Sequence, residues 1–177
     1  AGQQIPHHLG AVPHLIILKP LDRSDNWRVY HHKIHDSTPQ NYHLKLQSTN
    51  ATADSTDVWN DTAPTSTHFT IGANAGVGAN DEEFIAYCFT EKVGYSKFGK
   101  YNGNGSSAGP FIYCGFKPKF LLIRNQQDSG ELWELFDEIF SYARIQRMSS
   151  RTLPRSFVAY GSLWLFRHMW TNNDSTT

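Results

Sequence analysis

The side chains equipped for chemistry in this sequence are its nine histidines, its carboxylates and its two cysteines. His7, His8 and His14 lie near the start and His31, His32 and His35 fall close together, a density that raises the question of metal ligation. The spacing argues against it. On a strand His31 and His32 point to opposite faces, and no cysteine or paired carboxylate accompanies them at ligand spacing. They read as surface or loop histidines, with metal ligation and pH-responsive packing as the lesser alternatives. Asp54, Asp57 and Asp61 sit on a polar loop of the kind a hard cation accepts, but the alternating ligands and turn glycine of an EF-hand loop are missing, so the segment reads as a solvated turn. The glycines of GANAGVGAN (72–80) are not followed by Lys-Ser or Lys-Thr, and no helical periodicity begins there, which predicts a hairpin loop and not a phosphate cradle. Glu82 and Glu83 open a strand and face opposite sides, unlike the converging pair that glycoside hydrolysis needs. Cys88 and Cys114 each lie in an aromatic-rich stretch and read as buried free thiols. No catalytic, cofactor-binding or metal-ligating residue is expected from these patterns, and no enzymatic activity.

The elements that carry these residues are predicted to be strands. Aromatic residues make up 14% of the 177 residues. Ser, Thr, Asn and Gly make up about three in ten, a mix that favours short strands joined by polar turns. EFIAYCFT (83–90), FIYCGF (111–116) and KFLLIR (119–124) are short, apolar and bounded by Gly, Pro or Asn, while THFTIG (67–72) and NYHLKLQS (41–48) alternate apolar and polar. Residues 131–148 are the one stretch with helical potential. A net charge of zero with scattered Lys and Arg provides no basic stripe for nucleic acid, and no apolar run approaches the roughly 20 residues that cross a bilayer. No partner nucleic acid and no membrane insertion are expected.

An internal repeat organises the chain. Gly10, Pro13, the apolar run Leu15 to Leu18 and Lys19 reappear 105 residues later as Gly115, Pro118, the run Phe120 to Ile123 and Arg124. NWRVYHH (26–32) then matches LWELFDE (132–138), setting Trp27 against Trp133 and Tyr30 against Phe136. The expected unit is a turn feeding a buried strand, then a second strand whose Trp packs over it. Its core is expected to comprise Pro13, Trp27 and Tyr30 in one copy and Pro118, Trp133 and Phe136 in the other. The fold class is all-β: jelly-roll-like β-sandwich units in two tandem copies, residues 1–93 and 94–177. GYSKFGKYNGNG (94–105) precedes the second copy but has no counterpart before the first, which therefore lacks its opening strand. The second copy looks incomplete and diverges after about residue 140, where Arg144, Arg147, Arg151, Arg155 and Arg167 cluster.

HHLGAVPHLIILK, NWRVYHH, VWNDTAPTSTHFTIG, FIAYCFTEKVGYSKFGKYNGNG and GPFIYCGFKPKFLLI together resemble a two-copy domain of bacteriophage structural proteins, especially tail-fibre-like ones, over residues 5–136. The resemblance implies a β-sandwich building block of a virion, in a tail fibre or appendage that attaches to the host surface. The alternatives are a capsid decoration or head-fibre protein and a polysaccharide-degrading tail spike. It carries no catalytic residues with it. It implies a homo-oligomer (a trimer in a fibre), contacts with other virion proteins and with host surface glycans, and a location on the particle exterior.

Overall fold

The computed structural model describes residues 2–106, 109–137 and 154–160. The protein is mostly β, with several antiparallel sheets and very little helix. In chain order the strands are β1 (Gln3–Pro6), β2 (Leu15–Pro20), β3 (Arg28–His31), β4 (Tyr42–Lys45), β5 (Ala53–Asp54), β6 (His68–Ile71), β7 (Phe84–Phe89), β8 (Ser96–Asn102), β9 (Phe120–Asn125), β10 (Glu134–Asp137) and β11 (Pro154–Tyr160). Two single helical turns, α1 (Thr56–Trp59) and α2 (Ala75–Gly78), flank β6. The strands form a five-stranded sheet in the order β5-β4-β3-β2-β7, a four-stranded sheet in the order β10-β9-β11-β8, and the pair β1-β6.

β2 lies inside the first sheet, between β3 and β7, because LIILKP is apolar on both faces, and each face finds cover. On one face Leu15 and Ile17, with Val29 and Leu44, share a buried cluster with Phe98, Phe120 and Leu122 of the four-stranded sheet. On the other, Ile16, Leu18 and Tyr30 pack with Val58, Trp59, Phe69, Ile71 and Val77. Trp59 anchors that second layer: it is 2% exposed, meets Tyr30 edge-on at 5.8 Å, and donates from Nε1 to the Tyr42 carbonyl at 3.1 Å. The layer closes only because residue 72 is glycine, since a Cβ there would stand 2.0 Å from the Asp57 carbonyl oxygen.

The repeated blocks form two hairpins with corresponding registers. In the first, Leu15 pairs with His31, Ile16 with Tyr30 and Ile17 with Val29. In the second, Phe120 pairs with Asp137, Leu121 with Phe136 and Leu122 with Leu135. The shift of 105 on the first strand and 106 on the second maps one set of pairs onto the other. Gly10 and Gly115 both adopt positive φ, +66° and +80°, so the turn ahead of each hairpin needs glycine. Trp27 and Trp133 are both half-buried against the shared cluster, and Trp133 donates from Nε1 to the Lys45 carbonyl at 3.0 Å. Tyr30 and Phe136, opposite Ile16 and Leu121, are both buried.

Several expectations need correction. Pro13 is buried but Pro118 is exposed, so Pro118 is not core: Thr90 reaches over the first turn to the Val12 carbonyl, and the residues around Pro118, from Lys117 to Lys119, lie open to solvent. Residues 134–137 are strand and not helix, because pairing with β9 outweighs the helical spacing of Trp133 and Phe136. The remainder of that stretch, 138–148, and the arginines at 144, 147, 151 and 167 lie outside the described residues. FIYCGF forms no strand, and Phe111 and Tyr113 are largely exposed. GANAGVGAN contains the helical turn α2, started by the Asn74 side chain, which accepts from the Gly76 N–H at 3.0 Å.

Candidate functional site

Antiparallel pairing decides which residues meet at the ends of the five-stranded sheet. β2 runs against both its neighbours, so its first residue, Leu15, lies opposite the last residues of β3 and β7, His31 and Phe89. The residues just beyond those three ends therefore converge: His14 before β2, His32 after β3, and Thr90 and Glu91 after β7. The ladder continues into them, with the His32 N–H donating to the His14 carbonyl at 2.9 Å. The imidazoles of His14 and His32 stand edge to face with centroids 4.3 Å apart. With Glu91 they form a group in which one ligand-capable atom of each lies within 4.8 Å of the others, and all three residues are half-buried.

The surrounding hydrogen bonds fix how each side chain is presented. His32 Nε2 lies 3.2 Å from the Phe98 carbonyl, which can only accept, so Nε2 carries the proton and Nδ1 keeps its lone pair. His14 Nδ1 is 2.9 Å from Thr90 Oγ1 and 3.2 Å from the Glu91 N–H. Glu91 accepts from the Phe98 N–H through Oε1 and from Lys97 Nζ through Oε2, each at 3.0 Å. β8 of the second sheet thus closes over the end of the first. Phe98, which stacks on His14 at 6.0 Å, supplies both a main-chain acceptor and a main-chain donor.

Charge in the cluster follows from burial and these contacts. Burial pushes the His32 imidazole down to about 4, overcoming the upward pull of its bond to Phe98. Burial lowers His14 as well, against the attraction of Glu91. For Glu91 burial acts upward, but the Phe98 N–H and the Lys97 ammonium outweigh it and hold the carboxyl below its usual range. At neutral pH the cluster is two neutral imidazoles beside one carboxylate.

A second polar group lies beneath the helical turns. Arg28 donates from Nη1 to His43 Nε2 at 3.1 Å, and its Nη2 lies 3.4 Å from Asn74 Oδ1 and 3.9 Å from Asp25. Burial, then the Arg28 charge, pushes His43 down to about 4.

The other sequence candidates do not converge. Asp57 is tied to Ser55 and Asn74, while Asp54 and Asp61 are exposed, and among the described residues the three aspartates form no ligand group. Glu82 pairs with Arg23 at 3.1 Å, apart from Glu83. Cys88 and Cys114 are free and half-buried, and burial pushes the Cys88 thiol up to about 11. The grouping of His14 with His32 and Glu91 escaped a reading by local spacing, because 77 positions separate His14 from Glu91. The signal was the strand order: once β7, β2 and β3 are neighbours, P-H at the start of one and H-H and T-E at the ends of the others must meet. The repeat does not duplicate the group, since Lys119 stands in the position of His14.

The sequence profile of a family described as "Domain of unknown function (DUF7483)" matches residues 1–155. No curated protein and no solved structure matches the chain.

Proposed function

We propose that this chain, which belongs to the DUF7483 family, is a structural module of a bacteriophage virion, in a tail fibre or appendage that contacts the host surface. The reading starts from the resemblance of residues 5–136 to phage structural domains. One structural observation carries it further: the two repeated hairpins differ in how their sheets end. In the second sheet β11 lies beside β9, and β8 covers its outer edge. In the first sheet β7 holds the corresponding place beside β2, and among the described residues no strand pairs with its outer edge. The Leu21 N–H to Glu83 carbonyl bond sets the alternation, so residues 83, 85 and 87 bond to β2 while the main-chain groups of Phe84, Ala86 and Cys88 face outward. An aromatic strand with an open edge is a template for another strand. In our reading a neighbouring copy of this chain supplies it, in the place β8 takes beside β11, and repetition of that contact builds the appendage.

On this reading the two copies of the repeat are tandem β-sandwich elements, divided near residues 93 and 94, whose sheets face one another across the cluster of Leu15, Ile17, Phe98, Phe120 and Leu122. The module is not an enzyme. The Thr90 hydroxyl, although close to His14, donates to the Val12 carbonyl, and both Glu91 oxygens are engaged. The test is protein mass spectrometry across a density gradient of purified particles. Peptides from this chain should band with the major capsid protein. Peptides confined to the particle-free fractions would overturn the proposal.

A further inference from the structure

We propose that His14, His32 and Glu91 form a binding site for a divalent transition metal of the zinc class. The donor set is the first reason. Two imidazoles and a carboxylate are the nitrogen and oxygen ligands that borderline cations prefer, and three protein ligands leave a position for water or a partner's donor. The second reason is presentation. The Phe98 carbonyl holds the Nε2 proton of His32 and directs the Nδ1 lone pair elsewhere, the carbonyl-to-histidine support that metal-binding imidazoles characteristically have. Thr90 Oγ1 spends its own proton on the Val12 carbonyl and can accept from His14 Nδ1–H; in that tautomer, which gives up the Glu91 N–H contact to Nδ1, Nε2 carries the lone pair. The third reason is spacing. One ligand-capable atom of each residue lies within 4.8 Å of the others, so side-chain rotation would have to draw them toward the separation of about 3.3 Å that tetrahedral bonds of about 2.0 Å require.

Lys97 is the built-in competitor. Its ammonium lies 3.0 Å from Glu91 Oε2 and occupies the carboxylate that the metal would use. Binding a dication requires Lys97 to swing away, which its partly exposed side chain permits. The ion would then join the ends of β2 and β3 to the connection between β7 and β8, and so fasten the first sheet to the second. His14 is replaced by Lys119 in the second copy of the repeat, so that copy does not repeat the site.

The experiment is titration of the metal-stripped full chain with zinc chloride, followed by calorimetry and by thermal unfolding. Cobalt(II) serves as a spectroscopic substitute. One equivalent should bind, unfolding should shift to higher temperature, and cobalt should give the visible bands of a low-coordinate site. His32→Gln should weaken binding by at least tenfold, while the double variant His7→Gln/His8→Gln should bind as the native chain does. Lys97→Met should bind more tightly than the native chain. This last variant leaves all three ligands in place, so it decides the matter even where a histidine variant fails to fold. Absence of binding at millimolar zinc, binding unchanged by His32→Gln, or weaker binding by Lys97→Met would each overturn the proposal.

Discussion

His43 offers a direct measure of how firmly the layer beneath the helical turns is built. Its ring is 4% exposed and accepts from Arg28 Nη1, so protonation would place a second cation against a buried guanidinium. Lys45 adds to the penalty and Asp57 opposes it. The group moves from 6.5 in the unfolded chain to about 4 in the fold. Between these values the unfolded state binds the proton and the folded state does not. The stability held by neutral His43 is therefore fully present above pH 6.5 and is lost as pH falls toward 4. From pH 7 to pH 5 the loss integrates to about 2 kcal/mol. His43→Gln keeps an acceptor for Arg28 but cannot titrate, and the remaining groups titrate alike in both proteins. Urea unfolding at pH 7, 6 and 5, with EDTA present throughout, should show the native chain losing about 2 kcal/mol more than His43→Gln over that range. Equal losses in the two proteins would refute the reasoning.

Three further outcomes follow from particular contacts. Ala86→Pro removes an N–H on the outer edge of β7 and spares the bonds to β2, so light scattering should report loss of self-association while circular dichroism keeps the β spectrum. Trp133→Phe keeps the ring against the shared cluster but deletes the bond to the Lys45 carbonyl, and chemical unfolding should register a loss of about 1 kcal/mol. Gly72→Ala drives a Cβ into the Asp57 carbonyl, a main-chain group that cannot rotate aside, and should lower stability by about 2 kcal/mol or more, read as a fall in melting temperature.

The parts of the fold that sequence made legible are those where pairing and periodicity agree. The unbroken apolar run of Leu15 to Leu18 marked a buried strand, and it lies inside its sheet, between β3 and β7. The matched Trp and aromatic positions pointed to two hairpins, and their registers correspond pair by pair. FIYCGF shows the limit of reading a strand from a short apolar run bounded by Gly or Pro. Ile112, Cys114 and Phe116 do turn toward Ile123 and Phe136 while Phe111 and Tyr113 face solvent, but among the described residues no strand pairs with the segment, and Gly115 turns the chain. Alternation records a half-buried extended chain and does not supply a ladder. The helical turn at Ala75 was hidden among glycines, which lower helix propensity, and it forms because Asn74 caps it and Val77 is buried beneath it. The histidine and glutamate group was illegible because its members are neighbours only after three strands pair, and nothing in local spacing encodes that order.

The proposal that the chain is a piece of a virion appendage is tested most directly by immunogold electron microscopy of intact particles, using antibodies raised against the purified chain. Label concentrated on the tail or its fibres is the expected result. Label spread over the capsid, or none on particles that demonstrably contain the chain's coding sequence, would contradict it.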